Sequence, residues 1–166
     1  MTRTLVLMRH GKSGYPPGVA DHERPLADRG RREAALAGLW MVDEGLHVDA
    51  VLCSTATRTR ETLDRTGIVA PTTYLDDIYG AAPDEILEVL RVHAPADATT
   101  VLVVGHSPGM PATALTVDDS GNIDRFPTSA YAVLSVGSAW HRIGLDADPD
   151  ARLTGVRVPR EAPNEP

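Results

Sequence analysis

A single cysteine, Cys53, is present among 166 residues. An intramolecular disulfide and a cysteine-based zinc site are therefore excluded. Cys53 ends the apolar run Val51-Leu52 and reads as a core thiol. Long apolar runs are missing too, so no segment can span a bilayer. There is no basic excess. Sixteen Lys and Arg stand against 23 Asp and Glu, a net charge of −7, and the pI is about 5.3. This balance argues against nucleic-acid or anionic-membrane partners, although a local basic pocket can sit inside an acidic protein. Internal repeats and domain linkers are also lacking. No signal peptide is expected ahead of the first apolar run, and the cytoplasm is the expected location.

What is present suits one globular unit. Hydrophobic residues make up 42% and charged residues 23%, ordinary for such a chain. One domain is expected over residues 1–160, with a disordered tail over 161–166. Strand-like and helix-like apolar patterns alternate, the signature of an α/β fold. Strands are expected at Thr4 to Arg9, Asp49 to Cys53, part of Ile68 to Leu75, and Thr100 to Gly105. Helical spacing runs from Asp28 to Glu44, Thr55 to Thr66, Pro83 to His93 and Pro108 to Val117, with Ser54 as a cap and Gly45 as a stop. Ala130 to Ser135, Ala139 to Leu145 and Arg152 to Val158 read as late strands.

Chemistry is signalled where the strands end. Thr4-Leu5-Val6-Leu7-Met8 runs straight into Arg9-His10-Gly11. Val101-Leu102-Val103-Val104-Gly105 runs straight into His106. In open α/β sheets, ligands bind beyond the carboxyl ends of the strands. Ser54 to Thr62 follows the second strand and should open a helix, whose N-terminus suits a phosphate. Arg58 lies in its first turn. Two guanidiniums and two imidazoles would then share one edge. Arginine grips phosphoryl oxygens through a planar fork, and a neutral imidazole can attack phosphorus.

Arg9-His10-Gly11, Ser54-x-x-x-Arg58-x-x-x-Thr62 and Val104-Gly105-His106, in this order, resemble the histidine phosphatase superfamily. Lys12-Ser13, Asp21-His22-x-Arg24-Pro25-Leu26-x-x-Arg29-Gly30, Ile78-Tyr79-x-Ala81 and Ser107-Pro108-Gly109 are similar to the small SixA-type phosphohistidine phosphatases. The resemblance implies a phosphoglycerate mutase-like fold, a three-layer α/β/α sandwich with a mostly parallel central sheet. It implies His10 as nucleophile, Arg9 and Arg58 as clamps on the phosphoryl oxygens, and His106 as a further donor. No metal or other cofactor is implied.

Two residues carry open alternatives. Arg24 is a further phosphate contact or a salt-bridge partner of Asp21. Asp77 is a general acid or a solvated loop carboxylate. His22, His47, His93 and His141 read as surface or packing residues, and Arg60 as part of a solvated helix face. The expected substrate is a phosphohistidine-bearing protein. The alternatives are a small phosphorylated molecule such as a sugar phosphate or nucleotide, and a module that binds phosphate without turnover.

Overall fold

The computed structural model describes residues 2–160. The expected tail over 161–166 lies outside the described residues. Six strands form one sheet: β1 (Arg3–Arg9), β2 (Ala50–Ser54), β3 (Thr72–Leu75), β4 (Thr100–Gly105), β5 (Tyr131–Val136) and β6 (Arg152–Arg157). Their order is β3-β2-β4-β1-β5-β6. The first four are parallel, and β5 and β6 run antiparallel at one side. Four helices complete the fold: α1 (Asp28–Asp43), α2 (Thr57–Thr66), α3 (Pro83–His93) and α4 (Gly109–Val117). Among the described residues no helix is long and apolar enough to cross a membrane.

Strand side chains alternate between faces, and the sheet has a core on each. Leu5, Leu7, Leu52, Val101 and Val103 pack with Ile86 and Leu90 of α3 and Met110 of α4. Val6, Met8, Val51, Cys53 and Val104 pack with Ala37 and Met41 of α1 and Leu63 of α2. Helices thus cover both faces, giving the α/β/α sandwich. Both faces being buried explains why β1, β2 and β4 read as continuous apolar runs. Burial pushes the Cys53 thiol up to about 12.

Ala139 to Leu145 departs from expectation and is no strand. It is a single tight turn over Trp140–Arg142. Trp140 is buried, and its indole N–H donates to the Ala98 carbonyl at 2.7 Å. That inward anchor takes the backbone away from the sheet, and Gly144 follows with φ +80°. Helix α2 starts at Thr57, two residues later than expected, and its cap position is Ala56 rather than the expected Ser54; Ser54 Oγ instead accepts the Ala56 N–H in the entry loop.

Candidate active site

Parallel β1 and β4 pair with Arg9 opposite Gly105. His10 and His106, each one residue beyond its strand, leave the sheet together. Their ring centroids are 5.4 Å apart, tilted by 58°. Strand β2 flanks β4 on its other side and feeds α2 to the same edge. Thr62 then ties the pieces. Its hydroxyl donates to the Arg58 carbonyl at 2.6 Å and accepts the Gly11 N–H at 2.9 Å. The segment after His10 is thereby pinned to α2. Gly11 permits this course, since a Cβ there would sit 2.9 Å from the Gly30 carbonyl oxygen at the start of α1.

His10 is only 8% exposed. Its Nδ1 lies 2.7 Å from the Gly11 carbonyl oxygen. A carbonyl only accepts, so Nδ1 carries a proton. Burial first, and then His106, Arg58 and Arg9, push His10 down to about 3. The ring is therefore neutral near pH 7, with a lone pair on Nε2. His106 is pushed down to about 4, by burial first and Arg58 next. Its Nε2 sits 2.8 Å from Ser54 Oγ. The backbone around His10 is fixed as well. Its N–H donates to the Gly105 carbonyl, and its carbonyl accepts the Ser129 N–H. Ser129 is fully buried and holds φ +67°, a left-handed value costly for a residue with a Cβ.

Arg58 is buried, and its terminal edge is held by one residue. Nη1 donates to the Asp21 carbonyl at 2.7 Å, and Nη2 to the Asp21 carboxylate at 3.1 Å. Arg9 donates through Nη1 to the Phe126 carbonyl at 3.1 Å, and burial lowers its pKa. The Nε atoms of both arginines are buried without a partner. Helices α2 and α4 both begin without an acidic residue in the first turn. At α2, acids from elsewhere in the chain stand in: Glu23 accepts from the Thr57 hydroxyl and Asp76 from the Thr55 hydroxyl.

Asp21, Tyr79 and His22 also belong to the neighbourhood, and sequence reasoning missed them as such. The Tyr79 hydroxyl donates to the Asp21 carboxylate. This bond, with those from Arg24 and Arg58, holds Asp21 well below the usual carboxylate range. The Tyr79 ring stands edge-on to His106 at 5.3 Å and to His22 at 5.1 Å. His22 Nε2 lies 2.9 Å from Thr55 Oγ1. Only the Asp21 to Arg24 spacing and the Ile78-Tyr79 motif hinted at these residues.

Of the two open candidates, Arg24 makes the salt bridge. Its Nε donates to Asp21 at 3.0 Å, and its Nη1 to Ser13 Oγ at 2.6 Å. It stacks on Tyr15 with the guanidinium 4.2 Å from the ring centre. Asp77 is not among the hydrogen-bond partners of His10 or His106. The short turn Asp76–Ile78 sends Ile78 into the core and turns Asp76 to the Thr55 hydroxyl. Asp77 is left outside, in a hollow with Glu85, Glu88 and His93. Arg60 is exposed, as expected, with its guanidinium over Tyr74 at 4.2 Å. Among the described residues no group of three or more His, Cys, Asp or Glu could hold a metal ion.

Residues 5–76 match the histidine phosphatase superfamily (branch 1). A Nakamurella multipartitia protein, solved under the provisional name phosphohistidine phosphatase SixA, is 43% identical. It superposes with a TM-score of 0.86, over 96% of this chain and 97% of its own. The chain belongs to the histidine phosphatase superfamily. Within the superfamily it is of SixA type, and as a histidine phosphatase it is a hydrolase. The uncharacterized protein Rv1276c of Mycobacterium tuberculosis is 48% identical over 163 residues, covering 92% of this chain and all of the relative. A protein histidine phosphatase SixA solved with tungstate shares the fold. It has a TM-score of 0.79 at 20% identity, over 94% of this chain and 97% of that one.

Proposed function

We propose that this phosphatase removes the phosphoryl group from phosphohistidine side chains of proteins, through a phosphohistidine of its own. One observation carries the reading. His10 is a neutral imidazole whose only proton is committed to the Gly11 carbonyl, with the charges of Arg58 and Arg9 acting on it. Nε2 is then a free lone pair in a field that attracts a phosphoryl dianion.

The proposed chemistry has two displacements. Nε2 of His10 attacks phosphorus, and the bond from phosphorus to the substrate imidazole breaks. A substrate ring protonated on its far nitrogen leaves as neutral imidazole. Water then attacks the phosphoryl group on His10, the Nε2–P bond breaks, and inorganic phosphate departs. Arg9 and Arg58 balance the oxygens' charge, His106 donates an N–H to them, and Arg24 acts one step back by holding Asp21. These groups work by position and electrostatics.

Leaving-group basicity favours phosphohistidine over alkyl esters. Imidazole leaves with a conjugate-acid pKa of ~6.5, whereas an alkoxide approaches the value for water, about 15.7. An alkoxide therefore depends on a proton donor far more than imidazole does. The test compares a phosphohistidine peptide, a sugar phosphate and a nucleotide under one condition. Faster turnover of the peptide is expected. Faster turnover of a small ester replaces this reading by a small-molecule phosphatase, and binding without phosphate release leaves a mere phosphate binder.

A further inference from the structure

A hollow of about 270 Å³ opens beside the phosphate site, and His106 lines both. Its walls are the turn before α3, with Gly80, Ala81, Ala82 and Pro83, and the start of α4, with Pro108 and Met110. The two walls meet closely, since a Cβ on Gly109 would lie 2.6 Å from the Ala81 carbonyl oxygen. Apart from His106, no residue around the hollow can carry a charge. In a chain with 23 acidic and 16 basic residues, so uncharged a recess sharing His106 with the phosphate site is a distinct environment.

We propose that this hollow is a specificity subsite for an apolar side chain next to the phosphohistidine of the substrate protein. The proposal rests on the phosphohistidine reading and adds the substrate's local sequence. Three features select this occupant. The hollow adjoins His106, so a group seated there belongs to the molecule whose phosphoryl group is at the site. It offers no counter-charge, so a carboxylate or ammonium would be desolvated without compensation. Its volume lies just below the 300–1,000 Å³ usual for a whole small ligand, which fits one side chain and the backbone beside it.

The experiment uses two phosphohistidine peptides, one with leucine and one with glutamate on both sides of the phosphohistidine. The leucine peptide is expected to have a kcat/KM about tenfold higher, the equivalent of burying most of one aliphatic side chain. Ala112, on the first turns of α4, also lines the hollow. An Ala112→Lys variant supplies the missing counter-charge and should bring the leucine-to-glutamate ratio to one or below. A ratio measured within one enzyme preparation is insensitive to partial misfolding. A wild-type ratio near one, or a ratio unmoved by Ala112→Lys and by the bulkier but uncharged Ala112→Leu, overturns the subsite alone. If neither peptide is turned over by an enzyme that still hydrolyses small phosphate esters, the phosphohistidine reading falls and the subsite with it.

Discussion

Asp21 grips Arg58 twice, once through its backbone carbonyl and once through its carboxylate, and so holds the terminal edge of the guanidinium. The same carboxylate takes Arg24 and Tyr79. Three donors from three parts of the chain converge on one acid. The Asp21 side chain is 58% exposed, so each ion pair is partly screened. Asp21→Ala should lower kcat/KM by about threefold to tenfold, chiefly through KM, with the backbone carbonyl still holding Nη1. Vanadate affinity should fall in parallel. An unchanged KM and unchanged vanadate affinity would show that Arg58 needs no such support.

His10→Ala should leave the fold intact and reduce turnover by at least about 10³-fold. The residue stands at a strand end, outside both apolar clusters. Wild-type enzyme quenched during turnover of labelled substrate should yield an acid-labile phosphoprotein, and the variant should not. Normal turnover by the variant would remove His10 as nucleophile.

The depressed histidines predict a pH dependence of stability. In the unfolded chain both rings take a proton near ~6.5. In the folded protein they resist it until about 3 for His10 and about 4 for His106. The unfolded state thus binds more protons over that window. This part of the stability is complete above pH ~6.5 and is lost as pH falls toward the folded values. Urea midpoints should drop on moving from about pH 7.5 to about pH 5, and His106→Gln should drop less. Phosphate or vanadate should raise both pKa values, readable in the imidazole resonances. A wild-type and a His106→Gln curve of equal slope would contradict the assignment.

Carboxylates near the third strand should divide by substrate. Asp77 lines a separate hollow with Glu85, Glu88 and His93, so Asp77→Asn should leave both phosphohistidine and alkyl phosphate turnover near wild type. Asp76, which faces Thr55, is the better placed of the two to assist a poor leaving group. Asp76→Asn should cost about tenfold to hundredfold on an alkyl phosphate and little on a phosphohistidine peptide. A large loss in Asp77→Asn on the alkyl ester would restore it as the acid.

The division between legible and illegible residues follows chain distance. Arg9, His10 and His106 were readable because each lies at a fixed offset from an apolar run whose burial on both faces is written in its composition. Arg58 was readable because one helical turn links it to the end of β2. Tyr79 and Asp21 meet across 58 residues, and the irregular segment from Gly11 to Pro25 has no period that could announce the contact. Asp76 and Asp77 are adjacent in sequence and both exposed, and only the tightness of their turn decides which reaches Thr55. Ala139 to Leu145 misled because its apolar residues serve a buried Trp140 anchor rather than a pleated face.

Strand β1 is bonded along both edges, to β4 on one side and β5 on the other, and His10 continues that bonding at both its N–H and its carbonyl. The amide of the nucleophile is therefore locked into the cooperative centre of the sheet. It should exchange its hydrogen with solvent only when the whole domain opens, among the slowest in the molecule. Fraying at β3 or β6, the two outer strands, can proceed without disturbing it. The reacting nitrogen is thus mounted on the last part of the protein to come apart. Heating should extinguish activity and secondary structure on a single curve, with no range in which a folded but slack enzyme survives.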